Sequence, residues 1–243
     1  MTEDLIILTY HRIATPTRAA KVRGLYVTPG QFARQLAFIH RCGLEVVTFR
    51  QLLQDPEALA PAGPRVVLTF DDGSQDFLLH AVPVLRWYGY PAVVFPVVGD
   101  IGRRAVVWPQ AAEQTPVDLL TEPQLRDLHA TGMEIGSHLV DHVRAPALSP
   151  EALVDQMCES LERLTAMLQE RPVSLAYPYG DYDETVVTAA LNAGYRFGVT
   201  TAPGSNADVD EMKLRRLAVK GTRWYHPWQF RRRLTQRMRS ATR

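Results

Sequence analysis

The fold is decided by one stretch of the sequence, Val66-Val67-Leu68-Thr69-Phe70-Asp71-Asp72-Gly73. Its apolar, β-branched and aromatic residues predict a buried strand, because such runs are typical of parallel sheets that are covered on both faces. Two adjacent carboxylates follow at the carboxyl end of this strand, and Gly73 permits a tight turn. Catalytic side chains of parallel α/β folds lie at that edge of the sheet. The stretch therefore predicts an α/β fold with chemistry at Asp71 and Asp72.

The same kind of apolar run recurs along the chain and alternates with amphipathic segments. Strands are predicted at Leu5–Leu8, Glu45–Thr48, Arg65–Phe70, Ala92–Val97, Met133–Gly136, Ser174–Ala176, Phe197–Thr200 and Leu217–Val219. Helix starts are predicted at the capping sequences Thr28-Pro29-Gly30-Gln31 and Thr121-Glu122-Pro123-Gln124, and at Ser149-Pro150, which opens a helix through Gln169. For 243 residues, this alternation predicts a single-domain α/β barrel or a doubly wound sheet.

The composition bounds the class of protein. Hydrophobic residues make up 46% of the chain and charged residues 22%, which excludes a disordered, collagen-like or coiled-coil protein. Two cysteines, Cys42 and Cys158, cannot build a disulfide framework and fit a reducing compartment. The first twelve residues lack the basic start of a signal peptide, and no apolar run reaches the ~20 residues of a membrane span. The expected location is the cytoplasm.

The Asp71-Asp72 pair has three interpretations when it is taken alone. The first is a functional site: adjacent carboxylates repel each other, so an ionised pair needs a cation or a hydrogen-bond donor nearby. An acidic pair at a helix N-terminus or in a turn is the commoner case. A Mg²⁺-binding aspartate of a nucleotide site would need a Gly-x-x-x-x-Gly-Lys-Ser/Thr loop, which the sequence lacks.

A second motif, Ser137-His138-Leu139-Val140-Asp141-His142, also follows a predicted strand. On a helical turn, side chains four residues apart project from the same face, so His138 and His142 would converge there. Two imidazoles and one carboxylate form a facial set that suits Zn²⁺ and leaves positions open for water and substrate. The alternative is a solvated helix face. Since both motifs follow strands, they are expected at one sheet edge.

A third motif, Tyr177-Pro178-Tyr179-Gly180, follows another apolar run. Proline cannot continue a central strand and glycine marks a turn, so these aromatic residues are expected on a loop. They would offer flat faces to a sugar ring, or they would form a hydrophobic plug over the end of the sheet.

Together, in this order, the three motifs resemble those of the polysaccharide deacetylases, also called the NodB-homology family or family 4 carbohydrate esterases. The resemblance runs from about Leu5 to Gly221. The opening Leu8-Thr9-Tyr10-His11-Arg12 resembles one branch of that family, which includes deacetylases of biofilm poly-N-acetylglucosamine. The resemblance implies a distorted (β/α)7-type barrel that hydrolyses the N-acetyl amide of an amino sugar.

The resemblance also implies roles for individual residues. Asp72, His138 and His142 would hold a divalent metal, most simply Zn²⁺, with Co²⁺, Ni²⁺ or Fe²⁺ as alternatives. Asp71 would be the catalytic base, and the Tyr179 backbone N–H would stabilise the oxyanion. The expected substrate-binding residues are Tyr10, Tyr177, Pro178 and Tyr179.

The sequence departs from the family's pattern in three places. The usual late histidine that serves as general acid is missing from Leu217–Val219, so His11 is the preferred candidate for the acid and His226 the alternative. Ala176 occupies the position of an arginine that usually tethers the catalytic aspartate. No Asp-x-x-x-Trp sequence occurs, so the usual tryptophan wall is absent or replaced. The other histidines, His40, His80 and His129, are expected to be surface or packing residues.

The last two dozen residues differ in charge from the rest of the chain. The net charge is +1, but eight basic residues and no acidic ones lie between Lys220 and Arg243. Aromatic and apolar residues are interleaved with them, at Trp224, Trp228, Phe230, Leu234 and Met238. This pattern predicts either a terminal helix docked on the barrel or an interfacial helix on an anionic membrane. We therefore expect a barrel over 1–221 and a basic amphipathic segment over 222–243. Nucleic-acid binding is not expected, since no recognition module accompanies the charge.

Three functions remain open from the sequence. The first is a metal-dependent deacetylase of an N-acetylated sugar or glycan intermediate, soluble or lipid-linked, with peripheral contact at the inner membrane surface through the basic segment. The second is a metal-dependent amidase or deformylase acting on a non-sugar amide. The third is a catalytically weak sugar-binding barrel, which the presence of Asp71, Asp72, His138 and His142 disfavours. The oligomeric state is not predicted.

Overall fold

A computed structural model describes residues 5–54, 64–206, 209–221 and 227–241 of the chain. Its strands are β1 (Leu5–Tyr10), β2 (Glu45–Val46), β3 (Arg65–Asp72), β4 (Val93–Pro96), β5 (Glu134–Ile135), β6 (Ser174–Ala176), β7 (Phe197–Val199) and β8 (Leu217–Ala218). Its helices are α1 (Pro29–Arg41), α2 (Phe49–Gln54), α3 (Val82–Tyr88), α4 (Glu122–Ala130), α5 (Pro150–Leu168), α6 (Glu184–Ala193) and α7 (Pro227–Ala241). All eight predicted strands are present, most of them shorter than predicted.

The strands form a parallel, barrel-like arrangement. One sheet has the order β5-β4-β3-β1-β8, with β2 paired to the start of β3, and β6 pairs with β7 in a second sheet. Single bridges link the two sheets through flanking residues: Ser137, after β5, pairs with Leu175 of β6, and Val199 of β7 pairs with Leu214, before β8. The predicted distorted (β/α) barrel is confirmed, and the doubly wound alternative is wrong.

The helices begin where the capping sequences predict. Thr28 accepts a hydrogen bond from the Gln31 N–H, and the Gln31 side chain accepts one from the Thr28 N–H. The Ser149 side chain accepts a hydrogen bond from the Ala152 N–H at the start of α5, and α5 ends at Leu168, where Gln169 is the C-cap with a φ of +56°. Caps of this kind satisfy backbone donors that have no partner within the helix.

Alternation along β1 and β3 divides the core into two layers. Leu8, Tyr10 and Phe70 face outward, where the Tyr10 ring stacks on Phe70 at 5.1 Å between centroids. Ile7 and Val67 face the interior of the barrel and pack with the β4 residue Phe95. Because strand side chains alternate with period two, the inward positions that follow are Thr9 and His11 on one strand and Thr69 and Asp71 on the other.

The C-terminal helix α7 docks on the barrel. Phe230 and Leu234 are buried in the outer core layer, and the Phe230 ring meets Phe38 of α1 edge-on at 6.3 Å. Arg231, Arg232 and Arg233 are exposed. The prediction of a docked terminal helix with a basic solvent face is confirmed for these residues. Trp224 lies outside the described residues. Within the described ranges, no helix combines the length and the apolar character that a membrane span requires.

Candidate active site at the carboxyl ends of the strands

The Asp71-Asp72 pair lies at the carboxyl end of β3, and its two side chains take different directions. Asp71 points into the barrel and is buried. Asp72 has a φ of +72°, a left-handed conformation that turns the chain after the strand. Gly73 follows with a φ of +74°, and a Cβ there would lie 2.9 Å from the Pro96 Cα. The turn therefore requires glycine, and it separates the surroundings of the two carboxylates.

Asp72 forms a cluster with the two histidines of the second motif. The Asp72 Oδ1 lies 3.6 Å from the Nε2 of His138 and 3.6 Å from the Nε2 of His142. One ligand atom from each of the three residues lies within 4.8 Å of the others. Ligands placed ~2.1 Å from a tetrahedral ion are about 3.4 Å apart, so this spacing fits a metal site.

The loop that carries the histidines is not helical, so the helical turn predicted for this motif is wrong. Leu139 has a φ of +63°, and the segment between His138 and His142 forms bends. The side chains converge because the loop folds back, with Gly99 donating to the Val140 carbonyl at 2.7 Å.

Hydrogen bonds orient both imidazole rings. The His138 Nδ1 lies 2.7 Å from the Ala176 carbonyl oxygen, which can only accept, so Nδ1 carries the proton. The Nε2 lone pair of His138 then faces the Asp72 carboxylate with no hydrogen between them. The His142 Nδ1 lies 3.0 Å from the Tyr179 hydroxyl. Lone pairs that converge in this way fit a shared cation.

The pKa values of the three cluster residues also indicate a cation site. Burial lowers the pKa of His138 to about 4, and it lowers the pKa of His142 to about 4 as well. Burial also raises the pKa of Asp72. Two neutral imidazoles and a buried carboxylate without a counterion are ligands that suit a divalent cation.

Asp71 forms a buried ion pair with Arg216. The Arg216 guanidinium donates to both carboxylate oxygens of Asp71, at 2.6 Å and 2.7 Å. Burial alone would raise the pKa of Asp71, but Arg216 beside it holds that pKa well below its usual range. Arg216 itself is only 1% exposed and donates to the Thr200 carbonyl as well. Asp71 is therefore held ionised in a fixed orientation.

Arg216 is a functional residue that the sequence analysis missed. It binds Asp71, as the arginine at the position of Ala176 does in the family's usual pattern. Arg216 lies directly before β8 and not in the third motif. A signal was present, since an arginine directly before the apolar run Leu217–Val219 is unusual at the edge of a buried strand.

His11 lies beside the carboxylate pair. Its Nε2 is 3.7 Å from the Asp71 Oδ2, and its side chain is 24% exposed. It lines the cleft above the cluster together with Asp72 and His142. Its inward direction follows from the alternation along β1. The alternative acid, His226, lies outside the described residues.

Three of the four expected substrate-binding residues are buried and do not line the cleft, which corrects the prediction. Tyr10 is fully buried and donates to Gln35 Oε1 at 3.2 Å, because its position on β1 faces the outer layer. Tyr177 is also fully buried and donates to the Met212 carbonyl. Pro178 is buried as well. Tyr179, with a φ of +61°, lines the cleft.

Trp108 forms a wall of the cleft that the sequence did not predict. Its ring lies 4.8 Å from the His142 ring, and its indole N–H donates to Asp100 Oδ2 at 2.8 Å. It comes from the loop between β4 and α4, where no sequence motif marks it. Trp108 covers one face of a proposed metal ligand.

The cleft is small and has a largely apolar rim. Its volume is about 220 Å³, and Val22, Leu25, Val106 and Val107 line it beside the polar cluster. The Glu113 carboxylate joins the two loops of this rim, because it accepts from the Val22 N–H at 2.7 Å and from the Thr115 N–H at 2.9 Å. These hydrogen bonds lower the pKa of Glu113 to about 2, against the opposing effect of burial.

The remaining histidines lie outside the cluster. His40 and His80 are exposed, and His129 lies 3.3 Å from Glu170 on the surface. Their positions agree with the prediction of surface or packing residues.

Comparison with known proteins identifies the family. The family model described as polysaccharide deacetylase matches residues 59–198 of the chain. The chain belongs to the polysaccharide deacetylase family. Members of this family are N-deacetylases of carbohydrate esterase family 4 and act on amide bonds.

Individual relatives agree with this assignment. The YxkH protein of Bacillus subtilis (strain 168) is 31% identical over 205 residues, which cover 83% of this chain and 66% of that protein. The poly-beta-1,6-N-acetyl-D-glucosamine N-deacetylase of Staphylococcus aureus (strain MSSA476) is 20% identical over 225 residues, which cover 83% and 75%. The Streptococcus pyogenes deacetylase PplD, solved in complex with acetate, is 26% identical, covers 96% of this chain and 97% of that one, and superposes with a TM-score of 0.80.

Proposed function

We propose that this polysaccharide deacetylase family member is a metal-dependent hydrolase that removes the N-acetyl group of an amino sugar or glycan intermediate. One observation carries the proposal. Asp71 forms a buried ion pair with Arg216. Next to it, the ligand atoms of Asp72, His138 and His142 converge. The first group can accept a proton, and the second can hold a cation.

The proposed metal ligands are the three residues of the cluster, and Zn²⁺ is the cation that suits them best. A divalent cation there would lower the pKa of a water molecule and polarise the acyl carbonyl. Asp71 would take the proton from the attacking water as a general base. The Arg216 guanidinium orients Asp71 and keeps it ionised at neutral pH. The Tyr179 backbone N–H is the proposed donor to the oxyanion.

His11 is the proposed general acid, which protonates the departing amine. Its position supports this role, because its Nε2 lies 3.7 Å from Asp71 and its side chain reaches the cleft. At this separation, the proton that Asp71 takes from water would pass to His11 and from there to the amine. We further propose that the chain belongs to the branch of the family with an early Tyr-His-Arg sequence, since His11 directly follows β1.

The proposed substrate is one N-acetylated sugar unit, free or at the end of a glycan or lipid-linked intermediate. Among the relatives, the S. aureus enzyme acts on a polymer of N-acetylglucosamine, which supports the N-acetyl sugar. The cleft volume of about 220 Å³ is of the order of one sugar ring. Tyr179 and Trp108 supply aromatic faces for that ring.

A non-sugar amide is the second candidate substrate. The valines and Leu25 on the rim of the cleft favour an apolar substituent near the scissile bond more than a strongly hydrated sugar. The same residues would carry out the reaction, so a panel of substrates separates the two candidates.

The basic segment over 222–243 is proposed as a peripheral membrane contact of a cytoplasmic enzyme, appended to a catalytic barrel over 1–221. The exposed guanidinium groups of Arg231, Arg232 and Arg233 support this proposal, because adjacent cations attract anionic lipid headgroups. Replacing all three by serine is expected to abolish binding to vesicles with anionic lipid in a sedimentation assay. Unchanged binding would contradict the membrane proposal.

The central experiment compares Asp72→Ala with Asp141→Ala. Asp141 lies in the same histidine loop but is exposed and binds Gln156, so it is a matched control. We expect Asp72→Ala to lose bound metal, measured by mass spectrometry, and at least about a hundredfold in acetate release from N-acetylglucosamine oligomers. His11→Ala should keep the metal and lose turnover. Retention of both metal and activity by Asp72→Ala would overturn the proposed function.

A further inference from the structure

A second cavity, of about 480 Å³, lies next to the proposed active site. It opens beside the segments that follow β7 and precede β8, which the Val199–Leu214 bridge and the Arg216 hydrogen bonds to Thr200 and Ala202 join. Thr201 and Pro203 form one wall, Lys220 lies after β8, and Arg233 reaches it from α7. Neither the metal cluster nor His11 lines this cavity.

Two residues connect this cavity to the catalytic cleft. Arg216 lines the cavity and also holds Asp71, at 2.6 Å. Thr201 lines it and donates to the Tyr179 carbonyl at 3.2 Å, while Tyr179 itself lines the catalytic cleft. The linings of the two spaces are therefore linked by the Thr201–Tyr179 hydrogen bond and, through Asp71, by Arg216 and His11. A substrate bound in the cleft through its amide could extend a neighbouring group into the second cavity.

The second cavity has an excess of positive charge. The charge of Arg216 is balanced by Asp71, but Lys220 and Arg233 are exposed. Within the described parts of the chain, no carboxylate lies within ion-pair distance of either residue. The sequence from Lys220 to Arg243 contains no acidic residue that could neutralise them. Two cations without a local counterion in a concave site attract an anionic ligand.

We propose that this cavity binds a phosphoryl group attached to the substrate, so that the enzyme selects an N-acetylated sugar that carries a phosphate or a lipid-linked diphosphate. The planar guanidinium of Arg233 matches two phosphate oxygens, and the Lys220 ammonium supplies a point charge. A phosphoryl group carries close to two negative charges, which equal the two unpaired cations. The inference rests on the proposed deacetylase function for the identity of the sugar, but the anion site itself does not.

The first test measures the binding of inorganic phosphate without any deacetylase assay. Titration calorimetry is done in the Asp72→Ala background, which removes a proposed metal ligand, so that phosphate on a metal does not contribute. Adding Lys220→Met or Arg233→Met is expected to weaken phosphate binding about tenfold, the loss of one charged hydrogen bond. Arg232→Met is the control, because Arg232 is exposed on the same helix but does not line the cavity. Equal affinities in all variants would overturn the proposal.

The second test compares substrates in the otherwise unaltered chain. We expect kcat/KM for N-acetylglucosamine 1-phosphate, or for a short prenyl diphosphate carrying N-acetylglucosamine, to exceed that for N-acetylglucosamine. The Lys220→Met and Arg233→Met variants should reduce this preference about tenfold, mainly through KM. A preference for the prenyl compound alone would assign the phosphoryl group to a lipid carrier.

The remaining outcomes are also decisive. Phosphate binding at the cavity without any preference for phosphorylated substrates would overturn the substrate proposal, because the anion would then be a free one. Phosphate binding by a protein that hydrolyses none of the sugars would contradict the deacetylase function and leave the anion site standing.

Discussion

Asp71 and Asp72 are neighbours in the sequence, and the protein gives them opposite surroundings. Asp71 faces a guanidinium supplied by the fold itself, and its pKa is held low. Asp72 faces two imidazoles that burial keeps neutral, and its pKa is raised. The left-handed turn at Asp72 produces this separation, because it sends the second side chain out of the regular alternation of the strand.

The difference shows how one dipeptide can supply two chemical roles. A carboxylate that already has its counterion is an oriented proton acceptor. A carboxylate without one is a ligand for a cation that comes from outside. Pairs of titratable groups with divergent pKa values mark functional sites more sharply than any single shifted group.

The largest expected difference between the two carboxylates is in stability. In metal-free protein at pH 7, Asp71→Asn should lower the free energy of unfolding by about 3 kcal/mol, because the buried Arg216 loses its counterion. Asp72→Asn should cause no loss, since it removes a charge that burial penalises. Urea denaturation measures both. Equal losses would show that the two surroundings do not differ in energy.

The effect of Asp71→Asn should also depend on pH. The folded pKa of Asp71 is below the ordinary value of 3.8, so its stabilising contribution is complete above that pH and declines as the pH falls below it. The difference between wild type and Asp71→Asn should therefore narrow in acid.

A smaller effect is expected when the charge beside Asp71 is kept but its geometry is changed. Arg216→Lys retains one positive charge and loses the two-pronged contact, so the pKa of Asp71 should rise. The pKa of the Asp71 carboxyl, followed by NMR of its carboxyl carbon in metal-free protein, should then move upward by about one unit. The exposed neighbour variant Arg215→Lys serves as the control. An unmoved pKa would mean that Arg216 does not set the pKa of Asp71.

The smallest effect is expected on the Asp72 side. The His138 ring is held by the backbone carbonyl of Ala176, whereas the His142 ring is held by the Tyr179 hydroxyl. Tyr179→Phe removes only the second support and should weaken metal binding about tenfold, measured by competition with a chelator. Tyr182→Phe, at a ring that stacks on Tyr177 away from the cleft, should leave the metal affinity unchanged. The opposite order of effects would contradict the assignment of His142 as a ligand.

Much of the fold could be predicted from the sequence, because period and capping are local properties. The strand predicted at 65–70, which the structure extends to Asp72, and the helix starting at Pro29 follow from patterns within a few residues. The closure into a barrel rather than an open sheet does not follow from them. It depends on the bridges at Ser137 and Val199, which are contacts between distant segments.

The site was predictable to the extent that its residues lie in motifs. Asp71, Asp72, His138 and His142 are in the sequence stretches that suggested them, and the structure brings them together. Arg216 and Trp108 were not predicted, because each acts across a long separation, such as the 145 residues between Arg216 and Asp71.

Tyr10 and Tyr177 were misassigned for a local reason. A motif shows which residues adjoin the catalytic edge, but strand parity decides which side chains face it. Tyr10 lies between the inward positions Thr9 and His11 and therefore faces the outer core. Counting parity from Asp71 through the β1–β3 register would have excluded it.

The order of the chain has a consequence for how this site comes into being. The proposed metal ligands all precede α5 in the chain, while the partner of Asp71 follows β7 and lies beside the strand β8 that pairs with β1. A nascent chain therefore holds the complete ligand set before it holds the cation that stabilises the proposed base. The pairing of β8 with β1 therefore completes the surroundings of Asp71 with a residue that is distant in sequence from all three motifs.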